Sequence, residues 1–413
     1  MVIGLLLAGL LGACSLVATR AGTQPSSMPT TQTDTRAERA QRLVDDIVTA
    51  GRGGDSTVEF VSARDQVFAG RAAIWSANLA RIDWRSLRWT VQAREANLSA
   101  ARRAVLGPDA WVQSVTLSWA LADEPRTAEE DVWLTFVDET AVAGGAPTLR
   151  LAGDTDGPGA GAPSPIWWQQ PVRLRRDGAT VLLTDDDDPD WLGQASAARR
   201  AVRKRIGVAE RDPDGPLVVE LPQSRAAFER TLGVPSTSYA EVAAAAWPMG
   251  ADTSIAPIHV VVNPEATARL SGLGRDVLLT HEAVHVATRS PGSPAPTWLV
   301  EGYADRIAYR AHPSAAVPAT EAVRDAVRRH GVPRDWPAEG DFAPEASDLD
   351  LSYDLAWTAA RSIAMAYGDD ALNRFYAAVD GGASVEEAAE EIGTTKRALG
   401  ERWRSDLTEL AAR

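Results

Sequence analysis

The sequence predicts an α+β protein in two parts: a curved antiparallel sheet with helices, then a mainly helical region with a small edge sheet. Two observations predict it. Between Ser86 and Thr184 several short runs rich in Val, Leu, Thr and Trp alternate apolar and polar residues, the period of half-buried strands. From Trp191 onward the apolar spacing shifts to that of amphipathic helices, broken by two short β-branched runs. A length of 413 residues also exceeds what one hydrophobic core usually supports.

The elements follow in order. A helix is expected near 36–50, with Leu43, Ile47 and Val48 on one face. Strands are expected at SLRWTVQAR, WVQSVTLSWALA, DVWLTFVDE, TLRLAG, IWWQQPVRLRR and ATVLLT. Their order after the opening helix resembles the cone-shaped nuclear-transport-factor-2-like folds, which implies a curved sheet wrapped around a helix. Trp75, Trp84, Trp89, Trp111, Trp119, Trp133, Trp167 and Trp168 fall in this part. Core packing is preferred for them over the lining of a binding cavity. The acidic run Asp185–Asp188 lacks the alternating spacing and turn glycine of a calcium loop, and reads as a solvated boundary.

Beyond it, ASAARRAVRKRIG reads as a basic amphipathic helix, LVVEL as a strand and SRAAFERTLG as a helix. APIHVVVNP is a strand bounded by prolines. Helices are expected at 274–288, 297–311, 317–330, 352–367, 369–379, 384–392 and 395–411. The expected organisation is a leader over 1–14, a linker over 15–35, an α+β domain over 36–187 and a second domain over 188–413.

A net charge of −14 argues against a nucleic-acid partner. The single cysteine, Cys14, excludes an intramolecular disulfide. It ends the apolar run MVIGLLLAGLLGAC, which resembles the lipobox of bacterial lipoproteins, although no basic residue precedes the run. The resemblance implies lipidation at Cys14 and anchoring on the extracytoplasmic face of the cell membrane. The other readings are a short N-terminal membrane helix and a cleaved signal.

HEAVH, residues 281–285, carries the chemistry. On a helix His281 and His285 share one face and both present a ring nitrogen to one metal. Glu282 lies beside that metal, where a general base for a metal-bound water would sit. The third ligand is sought in TWLVEGYADRIAY, a second helical segment after the breaker-rich loop TRSPGSPAP. Glu301 is the candidate ligand. Asp305, four residues on, would accept the second N–H of a ligand histidine. Gly302 leaves room for another chain segment or the substrate. His259 is expected at a cleft edge or the surface, and His312 on a loop.

HEAVHVAT followed by WLVEGYAD resembles the gluzincin metallopeptidases, in particular the peptidase MA-like group, over about residues 195–413. SYDLAWTAARSIAMAYGDDAL and EEAAEEIGTTKRALGERWRSDL resemble later segments of that group. The resemblance implies one zinc ion per chain on His281, His285 and Glu301, with Glu282 as the base and Asp305 supporting a ligand histidine. It implies that Tyr353 hydrogen-bonds the oxyanion, with His330 and Tyr303 as weaker alternatives. The expected function is hydrolysis of peptide bonds in a peptide or protein substrate. The alternative is a non-catalytic envelope lipoprotein whose zinc domain is a scaffold and whose first domain binds a ligand or protein partner.

Overall fold

The computed structural model describes residues 35–413 except 141–146, 159–163, 186–189, 213–214, 236–238 and 344–345. Cys14 and most of the acidic run lie outside the described residues. The chain is α+β, with an antiparallel sheet first and a mostly helical part after it.

Helix α1 (Arg36–Gly53) starts at a capping box in which the Thr35 hydroxyl accepts from the Glu38 amide and Glu38 reaches back to the Thr35 amide. It buries Leu43, Val44 and Ile47. Helix α2 (Gln66–Arg81) follows, capped by Asp65. Strands β1 (Trp84–Ala96), β2 (Trp111–Leu121), β3 (Ala128–Glu139) and β4 (Thr148–Gly153) pair antiparallel in chain order, with α3 (Ala100–Leu106) between the first two. Register shifts at Trp84/Ser86, Val91/Glu95 and Thr135/Phe136 bend the strands, as bulges do.

Tryptophans fill the inside of this half. Trp75 and Trp168 stack with ring centres 5.1 Å apart, and Trp167 meets Trp84 and Trp119 edge-on at 5.3 and 5.7 Å. Offset and edge-to-face contacts of this kind strengthen burial beyond its area. These rings are core.

One expected strand is corrected. IWWQQPVRLRR opens as a single helical turn, α4 (Ile166–Gln169), and becomes a strand only at β5 (Arg173–Asp177). Pro165 starts the turn and Pro171 lacks the N–H that a ladder needs. Ile166, Trp167 and Trp168 all point into the tryptophan core.

The second sheet has the order β5-β6-β7-β9-β8, with β6 (Thr180–Thr184), β7 (Leu217–Glu220), β8 (Ala244–Pro248) and β9 (Ile258–Val262). Strand β6 pairs parallel with β7, and β7 with β9. The sheet therefore crosses residue 187, where the sequence suggested a boundary. One face packs with α5 (Asp190–Arg203) and the C-terminal helices, since Val219, Val260 and Val262 join Ala195, Leu279 and Leu299 in one core. The other face joins the tryptophan core through Val218, Val261 and Phe228 of α6 (Arg225–Leu232).

After the short α7 (Pro264–Thr267) come α8 (Gly272–Thr288), α9 (Thr297–Ala311), α10 (Ala316–His330), α11 (Leu349–Tyr367), α12 (Asp369–Asp380), α13 (Val385–Glu391) and α14 (Lys396–Ala412). Among the described residues no helix is long and apolar enough to cross a membrane.

Candidate metal centre

Helix α8 is capped by Ser271, whose hydroxyl accepts from the Gly274 amide at 3.1 Å. Its middle is buried all round, with Leu278, Leu279 and Val284 at 0–1% exposure. The helix ends at Arg289, at φ 54° the one described non-glycine residue with positive φ. That turn brings the chain back, and the Ser290 amide donates to the His285 carbonyl at 3.0 Å. Helix α9 then returns beside α8 and places Glu301 opposite the two histidines.

The His281, His285 and Glu301 ligand atoms converge. His281 Nε2 is 3.2 Å and His285 Nε2 3.5 Å from Glu301 Oε2, and the two Nε2 atoms are 2.8 Å apart. Bonds of about 2.0–2.1 Å in a tetrahedron separate ligand atoms by about 3.3 Å. This is the one group of three or more such residues, among those described, with the spacing of a metal site.

The outer ring nitrogens set the tautomers. His281 Nδ1 lies 2.8 Å from Asp305 Oδ1, and His285 Nδ1 2.7 Å from the Ser290 hydroxyl. Burial raises the Asp305 carboxyl, opposed by the charge and hydrogen bond of His281; as a carboxylate it only accepts, which puts the hydrogen on Nδ1 of His281. Where the Ser290 hydroxyl accepts likewise, His285 also carries its hydrogen on Nδ1, which leaves the inward Nε2 atoms to ligate. Glu301 Oε1 is buried with no hydrogen-bond partner among the described residues. Two imidazole lone pairs and a carboxylate aimed at one point are the donor set that zinc takes, so the residues present fit that ion.

The electrostatics agree. Burial alone would push His281 down, but the charges and hydrogen bonds of Asp305 and Glu301 hold it well above its ordinary value. Burial pushes Glu301 up, yet His285 and His281 outweigh it and bring it down to about 2.

Glu282 is 1% exposed, and its Oε2 accepts from the Ala246 amide of β8 at 2.7 Å. Burial raises its carboxyl, opposed by His285 and His281. Strand β8 was not expected from the Ala-rich run AEVAAAAWP, which has strong helix propensity. Pairing with β9 overrides that preference, and the small side chains let α8 pack close.

The other candidates are distributed as follows. Gly302 abuts helix α11, since a Cβ there would lie 2.2 Å from the Ala356 carbonyl oxygen. Tyr353 lies in the first part of α11, one turn before that crossing, 2% exposed with its ring edge-on to Phe342 at 5.3 Å. Tyr303 is engaged elsewhere, its hydroxyl donating to Asn373 Oδ1 at 2.7 Å. His330 is exposed at the end of α10. His312 caps α9 and bonds the Thr280 hydroxyl at 3.1 Å. His259 is corrected: it is neither surface nor cleft edge but 1% exposed, between Glu124 and Glu220. The alternation of IHVVV could not show that both faces of β9 are covered.

Sequence reasoning missed Ser290 and the Ala246 amide. The signal for Ser290 was its place directly after the α8 end, in TRSPGSPAP. The Ala246 contact had none, because a backbone amide carries no residue identity. Compared with models of protein families, with curated proteins and with solved structures, the chain matches none.

Proposed function

We propose that the chain is a zinc metallopeptidase, with zinc on His281, His285 and Glu301 and Glu282 as general base. The observation that carries this reading is the converging His281–His285–Glu301 triad with an intact carboxylate, Glu282, on the next residue of the same helix. A bound zinc ion supplies a Lewis acid and lowers the pKa of water. Glu282, oriented by the Ala246 amide, takes the proton as water attacks the peptide carbonyl and returns it to the leaving amine. Asp305 and Ser290 hold the two imidazoles in the ligating tautomer. Tyr353 is the proposed donor to the oxyanion.

Edge strand β8 suits a peptide substrate. Its register with β9, together with the Asn263 amide to Ala243 carbonyl and Met249 amide to Pro257 carbonyl bonds, turns the odd-numbered peptide groups toward β9. The even-numbered ones face away from β9, where the Ala246 amide meets Glu282, and an extended chain could add there as a further strand only once the segments that bury β8 move aside. The protein is further proposed to be held at the extracytoplasmic membrane surface through Cys14, which places its substrates there.

One observation favours the second reading, a metal-bound scaffold without turnover. His281, Glu282, His285 and Glu301 are only 0–1% exposed, so substrate reaches them only after the surrounding segments move.

One experiment separates the readings. Metal content and cleavage of a mixed peptide library are measured for the wild type, Glu301→Ala and Glu282→Gln. The metallopeptidase reading expects about one zinc per chain, weakened by Glu301→Ala, with cleavage blocked by a chelator. Glu282→Gln should keep zinc and lose about 10²–10⁴-fold in turnover. Tight zinc without cleavage supports the scaffold, and absence of zinc sinks both.

A further inference from the structure

A second buried charge cluster lies on the other face of the sheet that carries β8. Val260 and Val262 of β9 face α5 and α8, while Val261 faces the tryptophan core, so His259 points toward the first half of the chain. Its Nδ1 lies 2.7 Å from Glu220 Oε1 on β7. Its Nε2 lies 2.7 Å from Glu124 Oε1, in the turn between β2 and β3. The side chains of His259, Glu124 and Glu220 are 1%, 2% and 5% exposed. Glu124 is itself held by the Leu121 amide, which donates to its Oε2 at 2.8 Å. With one carboxyl oxygen accepting at each ring nitrogen, the ring carries both hydrogens and a positive charge.

Such a cluster is stable only when complete, because removing one partner leaves a buried charge uncompensated. It is complete only while the β2–β3 turn is docked on the second sheet. A backbone contact lies nearby: the Glu129 amide at the start of β3 donates to the Met249 carbonyl, just past β8, at 3.0 Å. Gly250 sits against the same segment, where a Cβ would come within 3.3 Å of the Glu129 carbonyl oxygen. His259 also pairs across the ladder with Trp247 of β8. The preceding residue of β8, Ala246, holds Glu282 through its amide.

We propose that the Glu124–His259–Glu220 triad is a brace through which the first half of the chain fixes edge strand β8, and through the Ala246 amide the carboxylate of Glu282. His259 is then a positioning residue for the reaction proposed above, on which this role rests. The first half is part of the working site, and not an appended binding module.

The test uses the full chain loaded with zinc, as wild type, Glu124→Gln and His259→Asn. Glu124→Gln keeps an acceptor and serves if His259→Asn does not fold. Hydrogen exchange of the backbone amides of 244–248 is expected to speed up by about tenfold or more, with α8 unchanged. Zinc content should stay the same, and on a cleaved peptide kcat per bound zinc should fall about tenfold with KM within about twofold. Unchanged exchange at β8, or equal acceleration in β8 and α8, overturns the brace whatever the activity. Faster exchange with unchanged kcat overturns the positioning role. A wild-type chain that holds zinc and cleaves nothing overturns the metallopeptidase reading and the positioning role with it, while the exchange result is still read separately.

Discussion

At the scale of residues, the centre is built from groups whose ordinary values are bent by their neighbours. In the proposed zinc site a protonated His281 would give up its proton to ligate, and Asp305 and Glu301 raise its pKa well above the ordinary value. Zinc affinity should therefore rise with pH by about tenfold per unit below that raised value, as one proton is displaced. Competition with a metal indicator across pH measures it, and a flat profile would refute the ligation of a protonated His281. Glu301 has the opposite sign. Its carboxyl lies at about 2 in the metal-free fold against 4.5 unfolded, so its contribution to stability is present above pH 4.5 and is lost as pH falls through about 2. Denaturant midpoints of the metal-free chain should drop over that window, and less so in Glu301→Gln. Asp305→Asn should cost about 10–100-fold in zinc affinity, measured by the same competition, since an amide accepts the His281 N–H less strongly.

At the scale of elements, the centre depends on how closely helices meet. Helices α9 and α11 cross at Gly302, beside the proposed ligand Glu301, with no room for a side chain. Gly302→Ala must push the two helices apart, and should destabilise the fold by about 1–3 kcal/mol while weakening zinc through the displaced Glu301. Thermal unfolding with and without zinc reads both, and an unchanged zinc affinity would show that α9 moves without its ligand. The helices carrying the site were legible because their apolar spacing is long and regular, and 297–311 is where the pattern put it. Strand β8 was hidden because five residues of Ala, Trp and Pro have no period. Their state is set by β9 alongside them.

At the scale of the whole molecule, the two halves share a sheet and a core. Strands β5 and β6 come before residue 187 and pair into the sheet that packs against α8. Val218, Phe228 and Val261 are covered by the tryptophan core. A fragment beginning at residue 188 should therefore be insoluble or lack a cooperative transition, whereas one beginning at residue 35 should unfold in a single step. Circular dichroism melts of both decide this, and a cooperative melt for the shorter one would refute the shared core. His259 adds a pH signature. Burial opposes its charge, but Glu124 and Glu220 raise it to about 10 from 6.5. Its stabilisation is thus whole below pH 6.5 and is lost as pH rises through about 10. The wild-type melting temperature should decline over that alkaline range, and Glu124→Gln should flatten the decline.

The sequence by itself determined the α+β class and most of the strands and helices, and it singled out His281, His285 and Glu301, which the structure brings together with Asp305 behind His281. Periodicity and i,i+4 spacing are local, and a helix converts them directly into a face. Tertiary structure decided what no local pattern carries. It paired an Ala-rich run into the edge strand that holds Glu282, buried His259 between carboxylates 135 residues before it and 39 residues before it, and ran one sheet through the expected boundary. Each of these depends on which distant segment covers a residue, and the entropy of closing such long loops is met only when the whole core forms at once.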